Sequence, residues 1–182
     1  DGNQRKFNTN EYKLDVNNNL NFKSNISYTD FGFTKNYEIV LKNSNISEKN
    51  SSGRTDDKQK LMSAIMYTTS LPLKKNGSKY NSFLNPNFSL RFSPNETKNI
   101  QTEDRRMEIN NIYSLNRISK SDAIEGGASI TLGTEYKILD KENDNDLLSL
   151  GLAQVYRNKH NNDLPTNSSL GNTSSDIFGN IK

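Results

Sequence analysis

The sequence predicts an all-β chain folded as an antiparallel up-and-down meander, and three observations point there. Apolar and polar residues alternate over long runs, the period of a strand with one apolar and one polar face. Clusters of Gly, Asn, Asp and Pro punctuate those runs where the chain must reverse. The composition argues against a helical bundle with a wide apolar stripe. Of 182 residues only 31% are hydrophobic, 29 are Asn and 21 are Ser, and mean hydropathy is −0.91.

The elements follow in order. Residues 20–28 place Leu20, Phe22, Ile26 and Tyr28 on one face and Asn21, Lys23, Asn25 and Ser27 on the other. Weaker alternation predicts strands at 33–44 and 60–71, the second blurred by apolar residues on both faces around 58–66, where helical spacing competes. In 87–93 Phe88, Leu90 and Phe92 oppose Asn87, Ser89, Arg91 and Ser93. A strand at 107–117 is interrupted on its apolar face by Asn111. The longest alternation runs over 128–138, with Ala128, Ile130, Leu132, Thr134, Tyr136 and Ile138 on one side. Strands at 146–158, broken by Gln154, and at 174–181 complete a set of eight, with essentially no helix. Short turns fall at 29–32, 75–78 and 140–145, and longer polar loops at 45–59, 94–105 and 159–173, an imperfect alternation of short and long connections.

Other features exclude function classes. Net charge is +3 with scattered basic residues, so no basic face invites nucleic acid. The absence of Cys removes disulfides, thiolate metal sites and cysteine nucleophiles. No apolar run approaches the ~18 residues of a helical membrane span. His160 is the sole histidine, and a Ser-His-Asp set drawn with Asp163 and Ser168 would lie in one polar loop without a rigid scaffold. Asp140, Glu142, Asp144 and Asp146 alternate as calcium ligands might, but Asn145 and Gly151 stand where an EF-hand needs Gly and Glu. The residues therefore indicate no enzyme, cofactor or metal centre. The chain opens on Asp1-Gly2-Asn3 and closes within a strand, which reads as an internal piece of a longer protein. Alternation leaves two placements open: a soluble sandwich with the apolar face inward, or an outer-membrane barrel with that face in lipid.

A series of motifs separates these. Asn116-Arg117 ends one segment; Asp122-Ala123-Ile124-Glu125-Gly126-Gly127 forms a turn; Gly133-Thr134-Glu135-Tyr136 lies in a strand. Gln154-Val155-Tyr156-Arg157 lies in the next, and Ser175-Asp176-Ile177-Phe178-Gly179 starts the last. Their order, best over 85–182, is similar to the barrel domain of the LptD family of lipopolysaccharide-assembly proteins. The Asn-, Lys- and Ile-rich style resembles an alphaproteobacterial version. One departure is Gly151-Leu152-Ala153-Gln154, where the family more often has Gly and Gln adjacent.

The resemblance implies that residues 1–182 are an open arc of a large transmembrane outer-membrane β-barrel. The family's 26-stranded barrel inserts lipopolysaccharide into the outer leaflet of a Gram-negative cell. Implied partners are lipopolysaccharide, an LptE-like lipoprotein plug, outer-membrane lipid and the remaining strands of the barrel, whose lateral exit lies elsewhere. A structural role is expected for the motif residues. Gly126 and Gly127 would permit a bend, Gly133 and Gly151 would relieve inward crowding, and Arg117, Asp122 and Glu125 would pair across one turn. Contact of those charges with lipopolysaccharide phosphates or the plug is the functional alternative. A porin or receptor barrel of another family, or a secreted soluble β-sheet module, are the competing readings.

Overall fold

The computed structural model describes residues 12–49, 58–143 and 145–182. Nine strands form one sheet: β1 (Tyr12–Lys23), β2 (Ser27–Tyr28), β3 (Thr34–Lys49), β4 (Lys58–Ser70), β5 (Leu73–Asn76), β6 (Tyr80–Ser93), β7 (Gly127–Asp140), β8 (Asp146–Arg157) and β9 (Phe178–Ile181). The order is β1-β3-β4-β6-β7-β8-β9, every pair antiparallel; β2 continues β1 along β3, and β5 continues β4 along β6. Among the described residues β1 and β9 have no further partner, so the sheet is an open arc. A single 3-10 turn at Ser169–Gly171 is the helical content of the described residues.

Both strand interruptions have local causes. Between β1 and β2, Ser24 replaces a ladder residue: its backbone N donates to Tyr37 O at 2.8 Å and its Oγ accepts from Tyr37 N at 2.9 Å. Opposite the gap between β4 and β5 stands Pro86, which has no N–H to give. There the ladder keeps Leu71 N donating to Pro86 O at 3.1 Å.

Residues paired across strands share a face, so both surfaces can be followed through the register. On one, Leu20 and Phe22 lie beside Leu41 and Ile39, Ile39 beside Ile65, Ile65 beside Phe92, and Phe88 and Leu90 beside Leu132 and Ile130. This apolar surface is open: Leu20 is 65% exposed, Phe92 50% and Leu152 54%. Lys35, Lys75 and Asp140 are the charges that the described side chains place on it, and all three adjoin short turns.

The opposite surface is polar, and its long-connection half from β3 to β8 is covered. Residues 94–126 and 158–177 fold back over it as an inner layer that buries Lys42, Met62, Ala64, Ser89, Arg91, Ser129, Val155 and Arg157. One cluster joins Ile100, Met107, Ile112, Ile118, Leu164 and Leu170 of this layer to Ala153 and Val155 of β8. Another joins Ile124 and Leu115 to Val40, Met62 and Ala64. Burying them against each other removes apolar area from water at roughly 25 cal/mol per Å². β4 is thus covered inside and apolar outside, which is why its alternation is blurred.

Four expectations are corrected. Residues 107–117 form turns, because Ser93 pairs directly with Gly127 and leaves this segment no strand to join. Met107 and Ile112 point into the inner cluster, while Asn111 closes a turn by accepting from Glu108 N at 2.9 Å and donating to Arg106 O at 3.1 Å. The segment 45–59 is partly strand, since β3 runs to Lys49 and β4 begins at Lys58; residues 50–57 lie outside the described set. The alternation of connections is regular: reversals at 29–33, 77–79 and 141–145 share one end of the sheet, and the long connections share the other. The last strand, β9, is also shorter than 174–181, with an isolated bridge from Ser174 to Tyr156 ahead of it.

At the long-connection end, side-chain amides stand in for missing backbone. Asn95 Oδ1 accepts from Ser63 N at 2.7 Å and its Nδ2 donates to Leu61 O at 3.1 Å, beyond the point where β4 and β6 stop pairing. Asn158 Oδ1 likewise accepts from Ala128 N at 3.3 Å. Asn95→Ala leaves one donor and one acceptor of β4 without a partner, an expected loss of about 1–3 kcal/mol. Urea unfolding of the variant in detergent measures it, with Asn95→Asp expected to restore only the acceptor half.

Candidate functional site

A connection without regular secondary structure leaves carbonyls that must find donors when buried. Here long cations from the inward surface of the sheet supply them. Lys42 of β3 donates to Lys120 O and, at 3.4 Å, to Ala123 O. Arg91 of β6 donates through Nε to Leu115 O at 2.7 Å and through Nη2 to Glu125 O at 2.6 Å. Arg157, the last residue of β8, donates through Nε to Leu170 O at 2.7 Å, reaching the second connection.

These arms converge on Glu125, whose side chain is wholly buried. Arg117 grips it in a fork, Nε to Oε2 at 2.9 Å and Nη2 to Oε1, while Nη2 also donates to Ser129 Oγ at 2.6 Å. Arg157 Nη2 touches the same Oε1, and Arg91 Nη1 lies 3.6 Å from it. Burial alone would raise the Glu125 carboxyl, but the Arg117, Arg91 and Arg157 guanidiniums hold it well below the usual carboxylate range. One carboxylate thus binds β6, β7, β8 and both inner segments at a single point.

The motif residues divide accordingly. Arg117, Glu125 and Arg157 meet in this knot. Gly126 N donates to Thr97 Oγ1 at 2.8 Å beside it, and Gly127 enters β7 with φ +85°, a left-handed conformation that favours glycine. Asp122 does not pair with Arg117; it faces Lys98. Partial burial works to raise the Asp122 carboxyl, and the Lys98 hydrogen bond and charge outweigh it and hold it low. Asn116 Nδ2 closes the turn to Lys120 O at 3.2 Å. Tyr136 is on the outward surface of β7, donating to Ser82 Oγ at 3.4 Å. Gln154, Ser175, Asp176 and Gly179 form the seam between β8 and β9. Gln154 Nε2 donates to Ser175 O at 2.8 Å, Ser175 Oγ accepts from Val155 N at 3.0 Å, Asp176 N donates to Ser169 Oγ at 3.0 Å, and Gly179 pairs with Leu152.

The sequence reading missed Arg91, Lys42, Ser129 and Tyr113. The first three sit on polar faces of strands, where a charge or hydroxyl raises no alarm; Arg91 in the 87–93 alternation could have been asked what it paired with. Tyr113 lies across β7 at Gly133, where a Cβ would come within 1.9 Å of Tyr113 Oη and 2.5 Å of Leu152 O. Burial, and then the charge of Glu135, pushes the Tyr113 hydroxyl up to about 12. Gly133→Ala is expected to cost about 1–3 kcal/mol by overpacking. Adding Tyr113→Phe should recover part of that loss, the Leu152 clash remaining; thermal unfolding of the two variants checks it.

Beside the knot, an open cleft of about 680 Å³ separates the inward surface of β1 and β3 from residues 113–121. Asn19, Asn21, Lys23, Glu38 and Lys42 line one wall, and Asn116 and Lys120 the other. Among the described residues no group of His, Asp and Glu is arranged to hold a metal ion. The cleft presents a wall of amides and charged side chains.

No curated protein matches the chain. The family LPS transport system D matches residues 3–182, nearly its whole length. With its meander, its open arc and that match, the chain belongs to the LptD family, which serves lipopolysaccharide transport and outer-membrane assembly.

Proposed function

We propose that this chain is a non-enzymatic wall sector of an outer-membrane LptD barrel, with its apolar surface in lipid and its inner layer in the lumen. The observation that carries the reading is the inverted sheet: the apolar surface is open and carries its few charges near the short turns, while the long-connection half of the polar surface is covered by the chain's own connections. A soluble module would cover the opposite surface. Strands of 12–16 residues in β1, β3, β4, β6, β7 and β8 exceed the ~9–11 that a tilted membrane strand needs.

Outer-membrane barrels keep short turns on the periplasmic side and long loops outside. That rule puts the reversals at 29–33, 77–79 and 141–145 in the periplasm and the inner-layer segments toward the exterior. The cleft beside β1 and β3 is then the part of this sector facing the open lumen, and the surface available to an LptE-like lipoprotein and to the saccharide part of lipopolysaccharide. Membrane-impermeant maleimide applied to intact cells tests the arrangement, with single cysteines in the complete barrel. Asn162→Cys is expected to label and Ser78→Cys only after the outer membrane is opened. Equal labelling of both in intact cells would overturn it.

A further inference from the structure

The knot around Glu125 is short of negative charge and of acceptors. Three guanidiniums face one carboxylate, and Arg117, Arg157 and Arg91 all direct a nitrogen at the same oxygen, Oε1. All four side chains are at most 2% exposed. Arg117 takes the fork geometry and so claims the carboxylate's best directions. Arg91 Nη1, at 3.6 Å, is too far for a hydrogen bond, and Arg157 Nη2 touches Oε1 without the alignment of one. Arg91 Nη1 is therefore a buried donor with no acceptor, and Arg157 Nη2 a buried donor whose contact with the shared Oε1 is unaligned.

A buried donor left unmade costs about 1–3 kcal/mol, and more when it is charged. A buried charge without a counter-charge is costlier still. Two hydroxyls of the adjoining strands are already engaged, Ser129 accepting from Arg117 and Ser93 donating to Ser63 O at 2.7 Å. Lys42 adds a further cation to the same inward surface, and Asp122, the acid whose charge reaches it, already faces Lys98. The described residues around the knot therefore cannot balance it.

We infer that the knot binds one small inorganic anion of the halide class, chloride in the cell, accepting from Arg91 Nη1 and Arg157 Nη2. Such an ion supplies the acceptor that Arg91 Nη1 lacks, offers Arg157 Nη2 an aligned one, and removes one of the two excess charges. It would join the β6 and β8 arms across the carboxylate, so that the inner layer is clamped by a pair of anions, one covalent and one exchangeable.

Two measurements on the complete barrel in detergent decide this. Thermal midpoints are compared across a series of potassium chloride and of potassium gluconate at equal ionic strength. Binding to the folded form alone raises the midpoint with ion concentration, so chloride is expected to raise it and gluconate not to. Arg91→Gln should abolish the difference between the salts. Equal midpoints in the two salts for the unaltered protein, or an undiminished difference in Arg91→Gln, would overturn the site. Crystals soaked in bromide give a second readout that does not depend on the variant folding. An anomalous peak within hydrogen-bonding reach of Arg91 Nη1 supports the site, and peaks confined to the surface, an adventitious ion only, overturn it.

Discussion

Glu125→Gln is expected to be the most damaging single substitution in this chain, with a loss of about 3–5 kcal/mol, the usual cost of removing one partner from a buried ion pair. The reason lies in what remains: three buried guanidiniums would face a neutral amide, and Gln cannot accept the fork that Arg117 makes through Nε and Nη2. Arg117→Gln should cost less, because Arg91 and Arg157 still compensate Glu125. Asp104→Asn, at a 71% exposed side chain, should lie within the noise. Urea unfolding of the complete barrel in detergent gives all three values. An E125Q loss no larger than that of D104N would mean the knot does not hold the inner layer.

The same residue sets an acid dependence. Its folded carboxyl is held below the usual range, whereas an unfolded Glu titrates at about 4.3. Stability from Glu125 is therefore complete above that value. It declines as pH falls below it, where the unfolded chain takes up a proton that the folded chain refuses, and is lost once the folded carboxyl protonates. Stability between neutral pH and pH 3 should fall more steeply in the unaltered protein than in E125Q.

Leu132→Arg is the second large effect. Leu132 is in the middle of β7 on the open surface, 47% exposed, between Phe88 of β6 and Gln154 of β8. In water an arginine there would be harmless. In lipid, a lysine or arginine near the midplane of an outer-membrane barrel costs roughly 2–4 kcal/mol, falling to about 0–1 at the interface. Asp140→Arg, at the end of the same strand beside the short turn, is the matched comparison. Refolding into vesicles should separate the two variants by at least about fivefold in the folded-to-unfolded ratio, and equal values would place this surface out of lipid.

How much of this was legible in the sequence depends on which face of a strand carried the information. The period-2 runs at 87–93 and 128–138 fall inside β6 and β7 because both keep one face apolar and the other polar throughout. The run at 107–117 misled for a physical reason: Met107, Ile109 and Tyr113 are spaced as in a strand but pack into or against one cluster through successive turns, a choice that tertiary burial makes and local pattern cannot. The motif pair Arg117 and Glu125 was readable as a turn pairing, since only eight residues separate them. That Arg157 reaches the same carboxylate from the end of β8, and Arg91 from β6, depends on strand register, which short alternating runs leave open. Asp122 was misassigned because Lys98, its partner, comes from the other end of the connection.

The inner layer bears on how a wide barrel remains a barrier. A pore large enough to pass a glycolipid head would admit dyes, bile salts and bulky antibiotics unless something obstructs it. On the proposed placement the obstruction in this sector is part of the same polypeptide and is tied down at Glu125, so it is present from the moment the sector folds. Replacing residues 94–126 with a short Gly-Ser turn should therefore leave a membrane that still forms but leaks: cells carrying the variant are expected to become sensitive to vancomycin, which intact outer membranes exclude.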